Sequence, residues 1–229
     1  MSRMGMSSND HQPKQQKPSL SRERVVAAAI AILDGEGENA LTFRALAKSL
    51  STGSGAIYWH VADKRTLLAA ATEHVLSEAI AQSGRGTHPA DAVRDVALGV
   101  FDVIEAHPWV GTELAREPWQ PAMTTLFEKI SAGFDAMGVP RSALFYCGSA
   151  LVQYLLGFAA QAAAAARHDF QSQDRTEVLT TLVARWTQGE PADYPYVHLL
   201  ADELRSHDER EAFLAGLDLI LAGARNLQG

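Results

Sequence analysis

The sequence carries none of the spacings that organise catalysis or hold a metal. It has no His-Glu-x-x-His, no Cys-x-x-Cys, no glycine-rich phosphate loop and no acid-rich metal helix. What it offers is donor chemistry within residues 41–68. Arg44 stands just before Leu46 and Ala47, which take the apolar side of a short helix, so its guanidinium is left to solvent. An exposed guanidinium can give two parallel hydrogen bonds to the O6 and N7 of guanine. A solvated surface arginine is the alternative. Ser54, Gly55 and Ala56 follow. They are small enough to touch a thymine methyl or admit a close backbone approach, but poor in directional hydrogen bonds.

These residues need helices to present them, and helical spacing recurs throughout the chain without strand-like alternation. Ser21 is a plausible N-cap for a first helix with Val25, Ala29, Ile32 and Leu33 on one face, closed by Asp34-Gly35-Glu36-Gly37. Thr42 caps a short second helix, Ser51-Thr52-Gly53 makes a tight turn, and Ser54 to His60 forms a very short third helix. Asp63 caps a fourth, with Leu67, Leu68, Ala71, Val75 and Ala79 in a stripe, which runs to about Gln82. Helix, tight turn and short helix describe a helix-turn-helix, whose second member enters the major groove of DNA. The Ser83–Pro89 breaker then separates residues 20–65 (the head) and 66–82 (a linking helix) from a larger body, 83–229. In the body, helices are expected at about 90–106, 119–137, 140–167, 174–187, 195–205 and 208–225. The fold class is all-α: an N-terminal helix-turn-helix head plus a C-terminal helical-bundle core. Residues 1–19, with Pro13-Lys14-Gln15-Gln16-Lys17-Pro18, read as a disordered arm without a secretory signal.

The run Leu-Thr-Phe-Arg-Ala-Leu-Ala from Leu41, followed by Tyr-Trp-His-Val-Ala-Asp-Lys-Arg-Thr-Leu-Leu from Tyr58, closely resembles the DNA-binding head of the tetracycline-repressor (TetR) family. The resemblance covers about residues 21–80 and needs no gaps in the motif. It implies a base contact for Arg44, a phosphate contact beside the capping role of Thr42, and phosphate contacts for Tyr58, His60 and Lys64. Such contacts fix register and carry no sequence information. Ser54, Gly55 and Ala56 would face the base edges; larger polar residues or proline are frequent there in the family, so indirect readout is expected to carry more of the specificity. A packed aromatic corner is the alternative for Tyr58. Ile57 and Trp59 read as core residues anchoring the third helix.

The chain has 229 residues, 47% hydrophobic, and a formal charge of −7. That charge is unevenly spread: residues 1–65 carry nine Lys/Arg against six acids, a local excess of +3. A basic head on an acidic body suits one end that touches phosphates and one that does not. The family fold implies an effector cavity in the body. The residues placed there are Phe101, His107, Trp109, Trp119, Met123, Phe127, Tyr146, Gln153, Tyr154 and Phe158, with Cys147 and Gln161 nearby. A mostly apolar pocket with a few polar hooks suits a small apolar or aromatic molecule; ordinary core packing is the alternative. No tetracycline–magnesium signature is present. The family also implies homodimerisation through the last helices, where Val197, Leu200 and Leu204, then Phe213, Leu217, Ile220, Leu221 and Ala224, form stripes.

The expected function is therefore a ligand-responsive transcriptional regulator, a repressor released from a palindromic operator. Its expected partners are double-stranded DNA, a second copy of itself and a small-molecule effector, with no cofactor, metal or catalytic residue. One cysteine, Cys147, excludes an intramolecular disulfide and suits the cytoplasm. The rival readings are a redox regulator acting through Cys147, an all-helical enzyme, and an architectural DNA binder without effector. The uncharged stretch Ala143–Ala166 is long enough to span a bilayer, but its Ala, Gly, Ser and Gln content favours the centre of a bundle over a membrane.

Overall fold

The computed structural model describes residues 20–84, 86, 88–167 and 175–227; the N-terminal arm lies outside them, as do positions 85 and 87 of the breaker. Twelve helices and no strand occur among the described residues. The head comprises α1 (Arg22–Glu36), α2 (Phe43–Ser49), α3 (Ser54–Tyr58) and the start of α4 (Lys64–Gln82).

Each long boundary in the head has a local cause. Ser21 accepts the Arg24 amide hydrogen at 3.3 Å, Thr42 that of Ala45 at 3.1 Å and Asp63 that of Thr66 at 2.7 Å. The Thr66 amide also holds the Asp63 carboxyl below its ordinary range. α1 stops at Gly37, whose φ of 77° suits glycine. Ser51, at φ 51°, turns the chain between α2 and α3. Leu41, Leu46, Ile57, Val61 and Leu67 are fully or almost fully buried between these helices.

α4 belongs to both halves. It packs on α1 along one side and on α5, α6 and α7 along the other. At 19 residues it is about 28 Å long. Its far end is pinned by Lys129 of α7, which donates to the carbonyls of Ser83, at 2.7 Å, and Ile80. A cation there also complements the negative end of the helix.

The body comprises α5 (Pro89–Ala106), α6 (Pro108–Arg116), α7 (Pro121–Ala136), α8 (Arg141–Arg167), α9 (Arg175–Trp186), α10 (Pro195–Leu199), α11 (Ala201–Arg205) and α12 (Glu209–Arg225). Two expectations change here. Pro108 starts a nine-residue helix, α6, in the span between 106 and 119 for which no helix was expected, and α7 begins at Pro121 and not at 119. The expected helix 195–205 is broken at Leu200 into α10 and α11.

α8 is apolar and long enough to cross a membrane by length and composition, and here it packs against α5, α6, α7 and α12. Its contact with α6 is backbone to backbone: a β-carbon added at Gly111 would lie 2.5 Å from the Ala159 carbonyl oxygen. Glycine is what lets the two backbones meet. α9, α10 and α11 pack mainly on one another.

Candidate nucleic-acid interface and effector core

The head gathers the expected DNA-facing residues along α2 and α3. Arg44, in the first turn of α2, is exposed, as are Thr42, Ser54 and Gly55. Ala56 and His60 are half-buried. Tyr58 stacks its ring on Phe43 at 4.3 Å, nearly parallel, which fastens α3 to α2, and it remains exposed. Ile57 is fully buried as expected.

One residue departs from the sequence reading. Trp59, expected in the core, is 90% exposed. The reason is register: Ile57 and Val61 take the inward positions on either side of it, which turns position 59 outward. Lys64, at the start of α4, donates from Nζ to the Glu38 carbonyl oxygen at 2.6 Å, in the turn between α1 and α2.

In the body the ten candidate effector residues separate into distinct places. Phe101, Tyr154 and Phe158 form an aromatic cluster with Phe213: Phe101 stacks on Phe158 at 4.6 Å, and Phe213 lies 4.7 Å from Phe101 and 5.3 Å from Tyr154. The Tyr154 hydroxyl donates to the Phe213 carbonyl at 3.0 Å, and burial pushes its pKa up. Arg210 covers the Phe101 ring from outside, 5.3 Å from its centroid.

His107 and Trp109 turn toward the head, both held by Asp34. Met123 is buried and Phe127 half-buried near α8. Trp119 and Tyr146 are 86% and 71% exposed, and Gln153 is exposed too. None of the ten lines either cavity described among the α-helices. One, of ≈ 180 Å³, lies within α9–α11, walled by Trp186, Tyr196, Val197, Leu200 and Leu204 among others. The other, of ≈ 520 Å³, is polar and open at His88, Asp91 and Arg225.

Sequence reasoning missed a different set. Gln120, buried at the start of α7, has no partner for either amide atom, and the hydroxyls of Thr72 on α4 and Ser131 on α7 are likewise buried without one. A buried polar atom left unpaired costs about 1–3 kcal/mol, which makes each of them a place where a bound molecule would gain. Nothing in their spacing marks them, because each faces inward by the packing of α4, α7 and α8.

The expected dimer stripe is also reassigned. Phe213, Leu217, Leu221 and Ala224 are buried within the chain against α5 and α8, so that face of α12 is monomer core. The outward face carries Leu219, Ala215, Ala222 and Gly223, and the outward face of α8 carries Phe145, Tyr146, Ala150 and Gly157. Cys147 is buried and burial raises its thiol pKa, so little thiolate forms at neutral pH and the redox reading is left without support.

A helix-turn-helix head on an all-helical body defines a one-component DNA-binding regulator. Residues 25–71 match the family described as bacterial regulatory proteins, tetR family, and residues 81–227 match the tetracyclin repressor-like C-terminal domain. The chain belongs to the TetR family, and is thus a ligand-responsive, DNA-binding transcriptional regulator. The solved structure of the transcriptional regulator SCO7222, a TetR from Streptomyces coelicolor, is 46% identical, covers 92% of this chain and 100% of its own, and superposes with a TM-score of 0.79. The Streptomyces coelicolor TetR family protein ActR in complex with actinorhodin is 25% identical, covering 90% of this chain and 96% of its own, with a TM-score of 0.73. An HTH-type transcriptional regulator of Saccharopolyspora erythraea is 28% identical over 180 residues, 78% of this chain and 74% of its own length.

Proposed function

We propose that the protein is a cytoplasmic repressor whose dimer holds a palindromic operator with two heads, until a small apolar or aromatic effector entering the body releases it. The observation that carries this reading is the exposed guanidinium of Arg44 beside the open edge of α3 at Ser54 and Gly55, on a head fixed by its own caps and core. Arg44 reads a guanine. Thr42, Tyr58 and His60 hold phosphates, and Trp59, turned outward, lies along the sugar–phosphate backbone of the same groove. Two heads on successive major grooves stand about 34–36 Å apart.

The outward faces of α8 and α12 supply the dimer contact, since Phe145, Tyr146 and Leu219 leave apolar surface there. The effector enters the packed layer of α4 and α7, where Thr72, Gln120 and Ser131 each bury a polar atom without a partner. That the related ActR is found in complex with actinorhodin supports a small-molecule effector. A 100-fold release requires about 2.7 kcal/mol of differential affinity, within the usual range of coupling between sites.

The test is fluorescence anisotropy at fixed salt, with labelled duplex from upstream of the protein's own gene, a random duplex, and the Arg44→Ala variant. We expect selective binding by the wild type and a loss of about 1–3 kcal/mol on the operator, with the random duplex little affected. Equal loss on both duplexes would remove the base-reading role from Arg44.

A further inference from the structure

The head meets the body through polar contacts, and one of them is unusual in its placement. Asp34 lies in the last turn of α1, which carries no basic residue. A carboxylate there faces the negative end of its own helix and is locally unfavourable. Its partners are on another element. The Trp109 indole N–H donates to Asp34 Oδ1 at 2.7 Å, and His107 Nδ1 lies 2.7 Å from the same oxygen. An indole nitrogen can only donate and a carboxylate oxygen can only accept. The proton of the second bond is therefore on His107 Nδ1, whatever the state of Nε2.

His107 is also the N-cap residue of α6 and makes no side-chain capping bond there. The Asp34 carboxylate is thus held by the side chains of the N-cap residue and the second residue of α6. The far end of α6 holds the same corner of the head. Arg116 bonds Glu38 at 3.2 and 3.4 Å and the buried Glu113 at 2.9 Å, while Arg65 pairs with Glu117 at 3.0 Å. α6 is thus gripped by the head at both ends and seated through Gly111 on α8.

We propose that Asp34, clamped by His107 and Trp109, is a positioning residue that sets the angle of the head on the body from the α1 side, independently of the covalent link through α4. It touches no DNA. Its contribution to operator affinity comes from holding two heads at the separation that two half-sites demand, and in that respect it rests on the DNA-binding reading above. Without the clamp each head still binds one half-site, but the pair no longer arrives pre-spaced.

Two measurements on the full-length protein test this. The first needs no DNA. Spin labels at Lys48→Cys on α2 and Glu128→Cys on α7, in a Cys147→Ser background and diluted with unlabelled chain, report the head-to-body distance within one protomer. A single narrow distribution is expected with Asp34 present, and a broadened or displaced one in Asp34→Ala. Asp34→Asn, which keeps the shape and an acceptor oxygen, should fall between them, and serves if the alanine variant folds poorly.

The second measurement compares binding of the palindromic duplex that the wild type selects from a random pool with binding of one half of it. Asp34→Ala should weaken the palindrome about tenfold, a typical coupling between sites, and leave the half-site within about twofold. An unchanged distance distribution would overturn the proposal. So would equal losses on palindrome and half-site, which would place the effect inside the head. If the wild type selected no duplex, the DNA-binding reading would fail, while the distance measurement would still decide the clamp.

Discussion

In the head, α1, α2 and α4 are each started by a side chain from the residue before them: Ser21, Thr42 and Asp63. In the body, α5, α6, α7 and α10 each open on proline, and none has a side-chain cap. Proline fixes where a helix can begin but gives it no partner. Apart from α3, the head therefore starts its helices from neighbours in sequence, whereas the body, apart from α12 with its Asp208 cap, takes its geometry from helices distant in the chain, α6 on α8 and α12 on α5. Residues that must present a fixed pattern to DNA sit on the locally determined half, and residues that must adapt to a molecule sit on the half set by packing.

The sharpest way to break this contrast is Phe101→Ala. If the Phe101, Phe158 and Phe213 cluster is core, the substitution should cost about 3–5 kcal/mol in chemical denaturation without any effector present. A change under about 1 kcal/mol would show instead that Phe101 lines a space the protein tolerates empty. Thr42→Ala sharpens the other side. Losing the cap should cost about 1 kcal/mol, and hydrogen exchange should show the added opening confined to α2 and α3. Opening spread equally into the body would mean that the head is no more locally determined than its partner.

The smallest effect concerns Glu113, whose carboxyl is raised by desolvation against the opposing pull of Arg116. A carboxyl raised in the folded state binds its proton more tightly there than in the unfolded chain. Its contribution to stability is greatest below the ordinary carboxylate range and falls as pH rises through the raised value. Relative to Glu113→Gln, the wild type should accordingly gain stability as pH is lowered from neutral toward 4.5, followed by urea unfolding at a series of pH values. The opposite slope would show that pairing with Arg116 outweighs burial.

What could be read from the sequence follows the same division. The helix starts at Ser21, Thr42 and Asp63 were legible because a capping side chain and the amide it accepts from are three residues apart. The outward turn of Trp59 was not, since aromatic character suggested core while the flanking Ile57 and Val61 already filled it. α6 was missed because two prolines and a short span resemble a loop. Its helical character comes from Val110 and Leu114 buried against α8 and from the polar grip of the head. The candidate effector residues were chosen as aromatics on adjacent helices. That criterion cannot distinguish Phe101, which faces other rings, from Trp119, which faces solvent. Gln120 and Thr72 are ordinary polar residues until the fold buries them.

The contact at Gly111 sets the thickness of the layer between α8 and the head. Because a β-carbon there would meet the Ala159 carbonyl at 2.5 Å, position 111 acts as a spacer at its minimum setting. Any larger residue would shim α6 outward, and with it the Asp34 corner of the head that α6 holds. Operator spacing in a relative with a bulkier residue at this position should then differ from that of this chain, which comparing the operators selected by the two proteins would reveal. Which stretch of DNA the dimer prefers would thus depend partly on the absence of one methyl group far from any base.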